Sequence, residues 1–257
     1  MLIMMYVGTA AWNIPKIAEG SFLKEGTALE RYANRLNAVE INTSFYRDHK
    51  PETYQDWARI TPDHFRFSVK INQRFTHKSD LIIDREDLMA SLMVIKELGK
   101  KLGPLLLQFP AGQSFHTDRM EKFYAAMRAV HEGPIVLEAR NSTWLFRDAI
   151  KLMKKYRISK VTADPEKCPG EFENEIEYYR LHGSPEMYSS DYSPVYLDNL
   201  LEEMKTFTSD VWCIFDNTTF GYATLNALAV YQKGEVYESY QRIHDGGHTD
   251  VHAVDQH

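Results

Sequence analysis

The chain has 257 residues, 44% hydrophobic and 26% charged, with a formal net charge of −6. This composition supports a sizeable core in one or two domains, and it argues against a protein that coats nucleic acid, which needs a basic excess. Two cysteines are too few for a disulfide framework, no apolar run reaches membrane-spanning length and the N-terminus has no charged leader, so we expect a cytoplasmic protein with no membrane partner.

Short apolar strands alternate with helical patterns along the chain. The predicted strands cover residues 6–8, 38–42, 65–71, 105–109, 136–140, 160–163, 176–181 and 211–215. The predicted helices cover residues 29–36, 51–60, 86–98, 117–130, 148–156, 195–207 and 222–231.

This alternation predicts an α/β protein whose parallel sheet is covered by helices. Eight such units close most economically into a single (β/α)8 TIM-type barrel, which we expect over residues 1–245. An open doubly wound sheet is the competing topology, and the lack of a Gly-rich turn after the first strand disfavours its dinucleotide-binding version. Residues 246–257 are polar and are predicted to form a flexible tail.

Polar residues occur late in most predicted strands, where side chains alternate between two faces. In a barrel the outward face packs against helices, so polar residues near strand ends are expected to face inward and meet at the C-terminal mouth. The predicted ring consists of Glu40, Lys70, Gln108, Glu138, Arg140, Asp164, Arg180 and His182.

The cations of this ring, Lys70, Arg140 and Arg180, would attract a phosphate or carboxylate. The predicted catalytic residues are Glu138, Glu40, His182 and Asp164, which could transfer protons. The predicted substrate-binding residues are Lys70, Gln108, Arg140, Arg180, Asn42, Asn217, Trp144 and Tyr46. If Glu138 is the acid/base, Glu138→Gln should melt near the normal temperature and lose turnover.

No metal or cofactor is predicted. A zinc phosphodiesterase barrel needs several histidines at strand ends, and the ring contains only His182. Magnesium held by Glu40, Glu138 and Asp164 stays open as an alternative. A glycosidase using Glu40 and Glu138 is a further alternative, although residues on the second and fifth strands are expected to lie too far apart for a retaining pair.

Seven segments together resemble the YecE-like family, domain of unknown function 72. They are YVGTAAW (6–12), VEINTSFY (39–46), FSVK (67–70), LQFP (107–110), EAR (138–140), YRLHG (179–183) and FDN (215–217). The resemblance spans nearly the whole chain and implies a TIM-type barrel, but it supplies no activity and no catalytic residues. A likeness of this family to endonuclease-IV-type barrels has been suggested, although the histidine set of those zinc enzymes is missing here.

The leading hypothesis is therefore a hydrolase or lyase that acts on a small anionic substrate, such as a phosphorylated sugar or a nucleotide. The alternative is a nucleic-acid-binding or endonuclease-IV-like barrel without the usual zinc ligands, which the net charge disfavours. The sequence carries no signal for an oligomeric state.

Overall fold

The structure, a computed structural model, describes residues 3–77, 81–170 and 172–245. Eight parallel strands pair in chain order, and the first pairs back with the last, so the sheet closes into a barrel. The strands are β1 (Met5–Ala10), β2 (Ala38–Ile41), β3 (Arg66–Lys70), β4 (Leu102–Gln108), β5 (Ile135–Glu138), β6 (Ile158–Asp164), β7 (Glu177–Leu181) and β8 (Val211–Phe215). The predicted single (β/α)8 barrel is confirmed.

Helices cover the outside of the barrel. The α-helices are α1 (Ala28–Ala33), α2 (Thr43–Tyr46), α3 (Pro51–Ile60), α4 (Gln73–Thr76), α5 (Arg85–Ile95), α6 (Thr117–Arg128), α7 (Arg147–Lys155), α8 (Pro194–Met204) and α9 (Tyr222–Asp245). Short 3-10 helices cover Lys16–Ser21, Lys96–Lys101 and Ser142–Leu145. Between β6 and β7 the described residues contain no helix, so the sixth unit departs from the predicted alternation.

The barrel interior is filled in layers along its axis. At the N-terminal end, Trp212 stacks between Tyr6 and Tyr178, with ring centroids 4.6 and 6.0 Å apart. Leu106 and Val136 belong to the same inner cluster. Above these layers the inward positions become polar, so the apolar filling supports a charged layer at the C-terminal end.

Gly8 on β1 allows a close approach between strands. A Cβ atom at this position would lie 2.0 Å from the carbonyl oxygen of Ala38 on β2. Only glycine fits there without moving the backbone, so Gly8 allows β1 to pair with the start of β2.

None of the described helices has a stretch of apolar residues long enough to cross a membrane. The predicted tail, residues 246–257, lies outside the described residues.

Candidate functional site

A single guanidinium lies at the centre of the charged layer. Arg180 on β7 is 1% exposed, and its Nε and Nη2 donate to the two carboxylate oxygens of Glu40 at 2.9 and 2.8 Å. Its Nη1 donates to Glu138 at 2.5 Å, and Nη2 also lies 3.1 Å from Asp216. We call these four residues the Arg180 cluster. Because three carboxylates surround one buried cation, the cluster joins β2, β5, β7 and the end of β8.

Strand alternation explains why these side chains meet. Glu40 is fully buried on the inward face of β2, where Tyr178 also reaches it: the Tyr178 hydroxyl lies 2.9 Å from Glu40 and 2.8 Å from Ser68 Oγ. Both oxygens of Glu40 therefore have partners, which offsets the cost of burying the charge.

Glu138, at the end of β5, links the cluster to a second arginine. Arg140 Nε and Nη2 lie 2.8 and 2.7 Å from Glu138 Oε1, while Arg180 holds the other oxygen. Burial by itself raises the pKa of Glu138, but Arg180, His182 and Arg140 outweigh it and hold this pKa well below the usual carboxylate range. Glu138 is therefore an ionised carboxylate at neutral pH and a poor proton donor.

His182 extends the cluster beyond β7. Its Nδ1 lies 3.0 Å from Asp216, and its Nε2 lies 3.6 Å from Glu138. Burial opposes a charged imidazole, but hydrogen bonding to Asp216 and Glu138 raises the pKa of His182 above its usual value. The Tyr188 ring packs edge-on against the imidazole, with centroids 5.5 Å apart, and covers it. Tyr188 has a φ of 68°, a backbone conformation that is strained for a tyrosine.

Lys70, at the end of β3, is the cation of this layer that the carboxylates do not bind directly. Its ammonium lies 4.3 Å from the centre of the Phe45 ring, and it makes no ion pair among the described residues. Burial and the nearby Arg180 charge lower the pKa of Lys70 to about 8, against the opposing effects of Glu40, Glu138 and Asp216. The ammonium can therefore lose its proton near neutral pH.

The family model described as "Protein of unknown function DUF72" matches residues 6–244. The chain belongs to this family. The UPF0759 protein YecE of Escherichia coli K12 is 34% identical over 110 residues, a segment that spans 42% of this chain and 38% of YecE. YunF of Bacillus subtilis strain 168 is 23% identical over 147 residues, or 55% of this chain and 52% of YunF. The chain thus matches only about two fifths to one half of the length of these curated relatives.

The crystal structure of a DUF72 protein from Enterococcus faecalis V583 is similar over 99% of this chain and 100% of that one, with a TM-score of 0.75 and 21% identity. At this identity the likeness shows the fold alone. The predicted resemblance to the YecE-like family is confirmed, and the activity of this DUF72 chain must be argued from its own site.

Several other predicted site residues lie at the same end of the DUF72 barrel. Gln108 pairs with Glu138 in the register of β4 and β5 and is 6% exposed. Asn42 follows β2, and its buried Oδ1 has no hydrogen-bond partner among the described residues. Tyr46 is 72% exposed and contacts the Phe45 ring. These side chains add free polar and aromatic groups beside the charged layer.

Asp164 does not join the Arg180 cluster. Val161, three residues earlier on β6, packs inside the barrel. Asp164 instead accepts a hydrogen bond from the Tyr192 hydroxyl at 2.7 Å. It lines a separate cavity of about 260 Å³ with Tyr179 and Glu203 of α8. The placement of Asp164 in the inward ring is therefore corrected: it has the opposite strand parity and faces the outer layer.

Trp144 and Asn217 are also placed differently from expectation. Trp144 is 1% exposed, stacks on Phe109 at 4.7 Å and donates to the Gln113 carbonyl, so it belongs to the core. Asn217 is fully buried and donates to Ser190 and Asn226, so it anchors loops. Both side chains are buried, and Asn217 Oδ1 has no hydrogen-bond partner among the described residues, so their predicted role in substrate binding stays a prediction.

Sequence reasoning did not assign Asp216 to the site, although this residue binds both Arg180 and His182. It also left out His77, which lies edge-on to the Phe45 ring at 4.9 Å. The signal for Asp216 is its position two residues after Ile214, which packs inside the barrel. His77 follows Lys70 too distantly in sequence for strand alternation to place it.

The carboxylates proposed as magnesium ligands are not brought together. Glu40 and Glu138 are bound by Arg180, and Asp164 faces the outer layer. In the part of the chain that the structure describes, no group of three or more His, Cys, Asp or Glu side chains is arranged to hold a metal ion.

Proposed function

We propose that this protein is an enzyme, a hydrolase or lyase, that acts on a small anionic substrate at the C-terminal mouth of the barrel. The observation that carries the proposal is Lys70, a largely buried cation that no carboxylate of the described residues neutralises directly. A cation held in such surroundings costs stability, and sites of this kind are typically maintained for a ligand.

The charge of the mouth supports an anionic substrate. Three cations, Lys70, Arg140 and Arg180, balance the carboxylates of Glu40, Glu138 and Asp216, so these six groups carry no net charge although the whole chain carries −6. Protonated His182 would add one positive charge. The Arg140 side chain is 22% exposed, so its guanidinium can contact a ligand while keeping its ion pair to Glu138.

Two groups in this region have shifted pKa values and could transfer protons. The pKa of Lys70 is lowered to about 8, so its amine is partly neutral near neutral pH, and the pKa of His182 is raised, which favours its protonated form. Our proposal gives the two glutamates a different role from the predicted one. In our proposal Glu40 and Glu138 fix Arg180 and set the field at the mouth, rather than exchanging protons themselves.

The test is a turnover experiment on a defined panel of sugar phosphates, nucleotides, 2-oxo acids and hydroxy acids, followed by mass spectrometry. We expect the full chain to consume at least one anionic compound and Lys70→Met to lower that rate by about 10²-fold or more. Lys154→Met is the matched control, because Lys154 lies on the surface and pairs with Glu173; its rate should be unchanged.

If the wild type consumes no member of the panel, and calorimetry with phosphate and sulfate detects no binding, the proposal is wrong. Equal rates for Lys70→Met and wild type would remove Lys70 from the site.

A further inference from the structure

We propose that the ε-amine of Lys70 is a nucleophile that forms an imine with the carbonyl carbon of the substrate. This inference rests on the proposed function and deepens it, because it makes the substrate a small anionic aldehyde or ketone and the reaction a lyase-type reaction that proceeds through a covalent intermediate.

The position of Lys70 leaves its nitrogen free to react. The nearby carboxylates already have partners: Glu40 and Glu138 bind Arg180, and Asp216 binds Arg180 and His182. No ion pair among the described residues holds the ammonium in place, and its contact is the face of the Phe45 ring. A neutral amine loses little by leaving such a contact, whereas an amine locked in a salt bridge would have to break it first.

The surroundings also favour the neutral amine, which is the reactive form. Burial and the charge of Arg180 lower the pKa of Lys70 from 10.5 to about 8. At pH 7.5 about one quarter of the Lys70 side chains would then be neutral, compared with roughly one in a thousand for an ordinary lysine. A desolvated lysine beside another cation is a known way to activate an amine for this chemistry.

A possible base contacts the same aromatic ring as the amine. The His77 ring contacts Phe45 edge-on at 4.9 Å, while Lys70 lies over the face of that ring. His77 Nδ1 is 2.8 Å from Thr76 Oγ1, and Nε2 has no hydrogen-bond partner among the described residues. Burial and the charges of Lys70 and Arg140 lower the pKa of His77, so its imidazole is neutral at pH 7.5 and can accept a proton.

The chemistry balances with groups that are present. The lone pair of neutral Lys70 forms a bond to the carbonyl carbon, and the carbonyl π electrons move to oxygen. A proton moves from nitrogen to that oxygen through His77, which gives a carbinolamine. Protonation of the hydroxyl and loss of the second N–H proton release water and form C=N, so both amine hydrogens leave in the water and no oxidant or reductant is needed. Arg140 would hold the anionic group of the substrate.

The other partly buried lysines do not offer this combination. Lys101 donates to the carbonyl oxygens of Ala58 and Thr61, at the opposite end of the barrel. Lys160 pairs with Glu166, and Lys205 pairs with Glu202. Lys70 therefore differs from them in having an unbound amine at the mouth.

The test is reductive trapping on the full chain at pH 7.5. Pyruvate or glyoxylate is added with sodium cyanoborohydride, the protein is digested and the modified lysines are identified by mass spectrometry. We expect one group per chain on Lys70, with at least tenfold more modification than on Lys101 or the exposed Lys154. Acetone, which lacks the carboxylate, should label Lys70 less than pyruvate, and Arg140→Met should remove that difference.

His77→Gln should slow the labelling of Lys70 without redirecting it to other lysines. The inference is wrong if both probes label the surface lysines of the wild-type protein according to their exposure and do not favour Lys70. This result does not depend on whether any variant folds. In that case the turnover panel still tests the proposed function independently. Selective trapping at Lys70 supports the inference even if no panel compound is consumed.

Discussion

Replacing Lys70 with methionine should make the protein more stable. The unfolded chain holds the lysine proton up to about pH 10.5, whereas the folded chain releases it near pH 8, so the unfolded state binds more protons between these values. Stability therefore rises with pH in this window, and below pH 8 the charged Lys70 destabilises the folded state. Methionine has a similar length and can pack on the Phe45 ring without a charge.

The pKa difference sets the size of the effect. A shift from 10.5 to about 8, at about 1.36 kcal/mol per unit, corresponds to a cost of about 3.4 kcal/mol at pH 7. At pH 9.5 the folded lysine is already neutral, and the remaining cost is about 1.4 kcal/mol. We therefore expect Lys70→Met to raise the free energy of unfolding by about 1–3 kcal/mol at pH 7, and by less at pH 9.5.

The assay is urea unfolding of wild type and variant at both pH values. Lys154→Met is the matched control, because this lysine lies on the surface and pairs with Glu173, so its loss should change the free energy of unfolding by less than about 1 kcal/mol at either pH. A Lys70→Met variant that is less stable than wild type at pH 7, or whose advantage grows with pH, would refute the reasoning.

Three further predictions concern the cluster and the barrel. Glu138→Gln leaves Arg180 and Arg140 incompletely neutralised and should lower the free energy of unfolding by about 3 kcal/mol in urea titrations. Glu121→Gln, in an exposed pair, should change it by less than about 1 kcal/mol, and equal effects of the two variants would contradict this prediction. Asp216→Asn should lower the pKa of His182 measured by NMR titration, and an unchanged pKa would show that the 3.0 Å contact does not hold the imidazole. Gly8→Ala would place a Cβ 2.0 Å from a backbone oxygen of β2 and should cost about 3 kcal/mol or more, so a normal urea midpoint would count against the packing described.

Strand alternation predicted much of the site because four residues on strands obey it. Glu40, Lys70, Glu138 and Arg180 lie at the inward C-terminal end, and Arg140 binds Glu138 there. The expected near-normal stability of Glu138→Gln is not favoured by this geometry. From the sequence, Asp164 could also neutralise Arg180, but among the described residues the other carboxylates that bind Arg180 are those of Glu40 and Asp216.

The incorrect placements occur where strand alternation does not determine the direction of a side chain. Asp164 ends β6, and no helix follows that strand in the described residues, so a polar residue is tolerated on its outward face. Around Asp216 both faces of β8 are apolar, from Val211 to Phe215, so no period of two shows which way the next side chain points. Trp144 was placed by its proximity to a strand end, which does not distinguish a loop residue over the mouth from one that turns into the core.

The Arg180 cluster has a consequence for the lifetime of the folded state. Its contacts join residues far apart in sequence: Arg180 and Glu40 are 140 positions apart, and Arg180 and Glu138 are 42 apart. These bonds require strands from both halves of the chain to be in place, so they form after most of the loop-closure entropy has been lost. Interactions made after the rate-limiting step of folding slow unfolding and leave the folding rate nearly unchanged. If the contacts of the Arg180 cluster form after that step, we expect their loss to speed unfolding of the closed barrel and to leave its folding rate nearly unchanged.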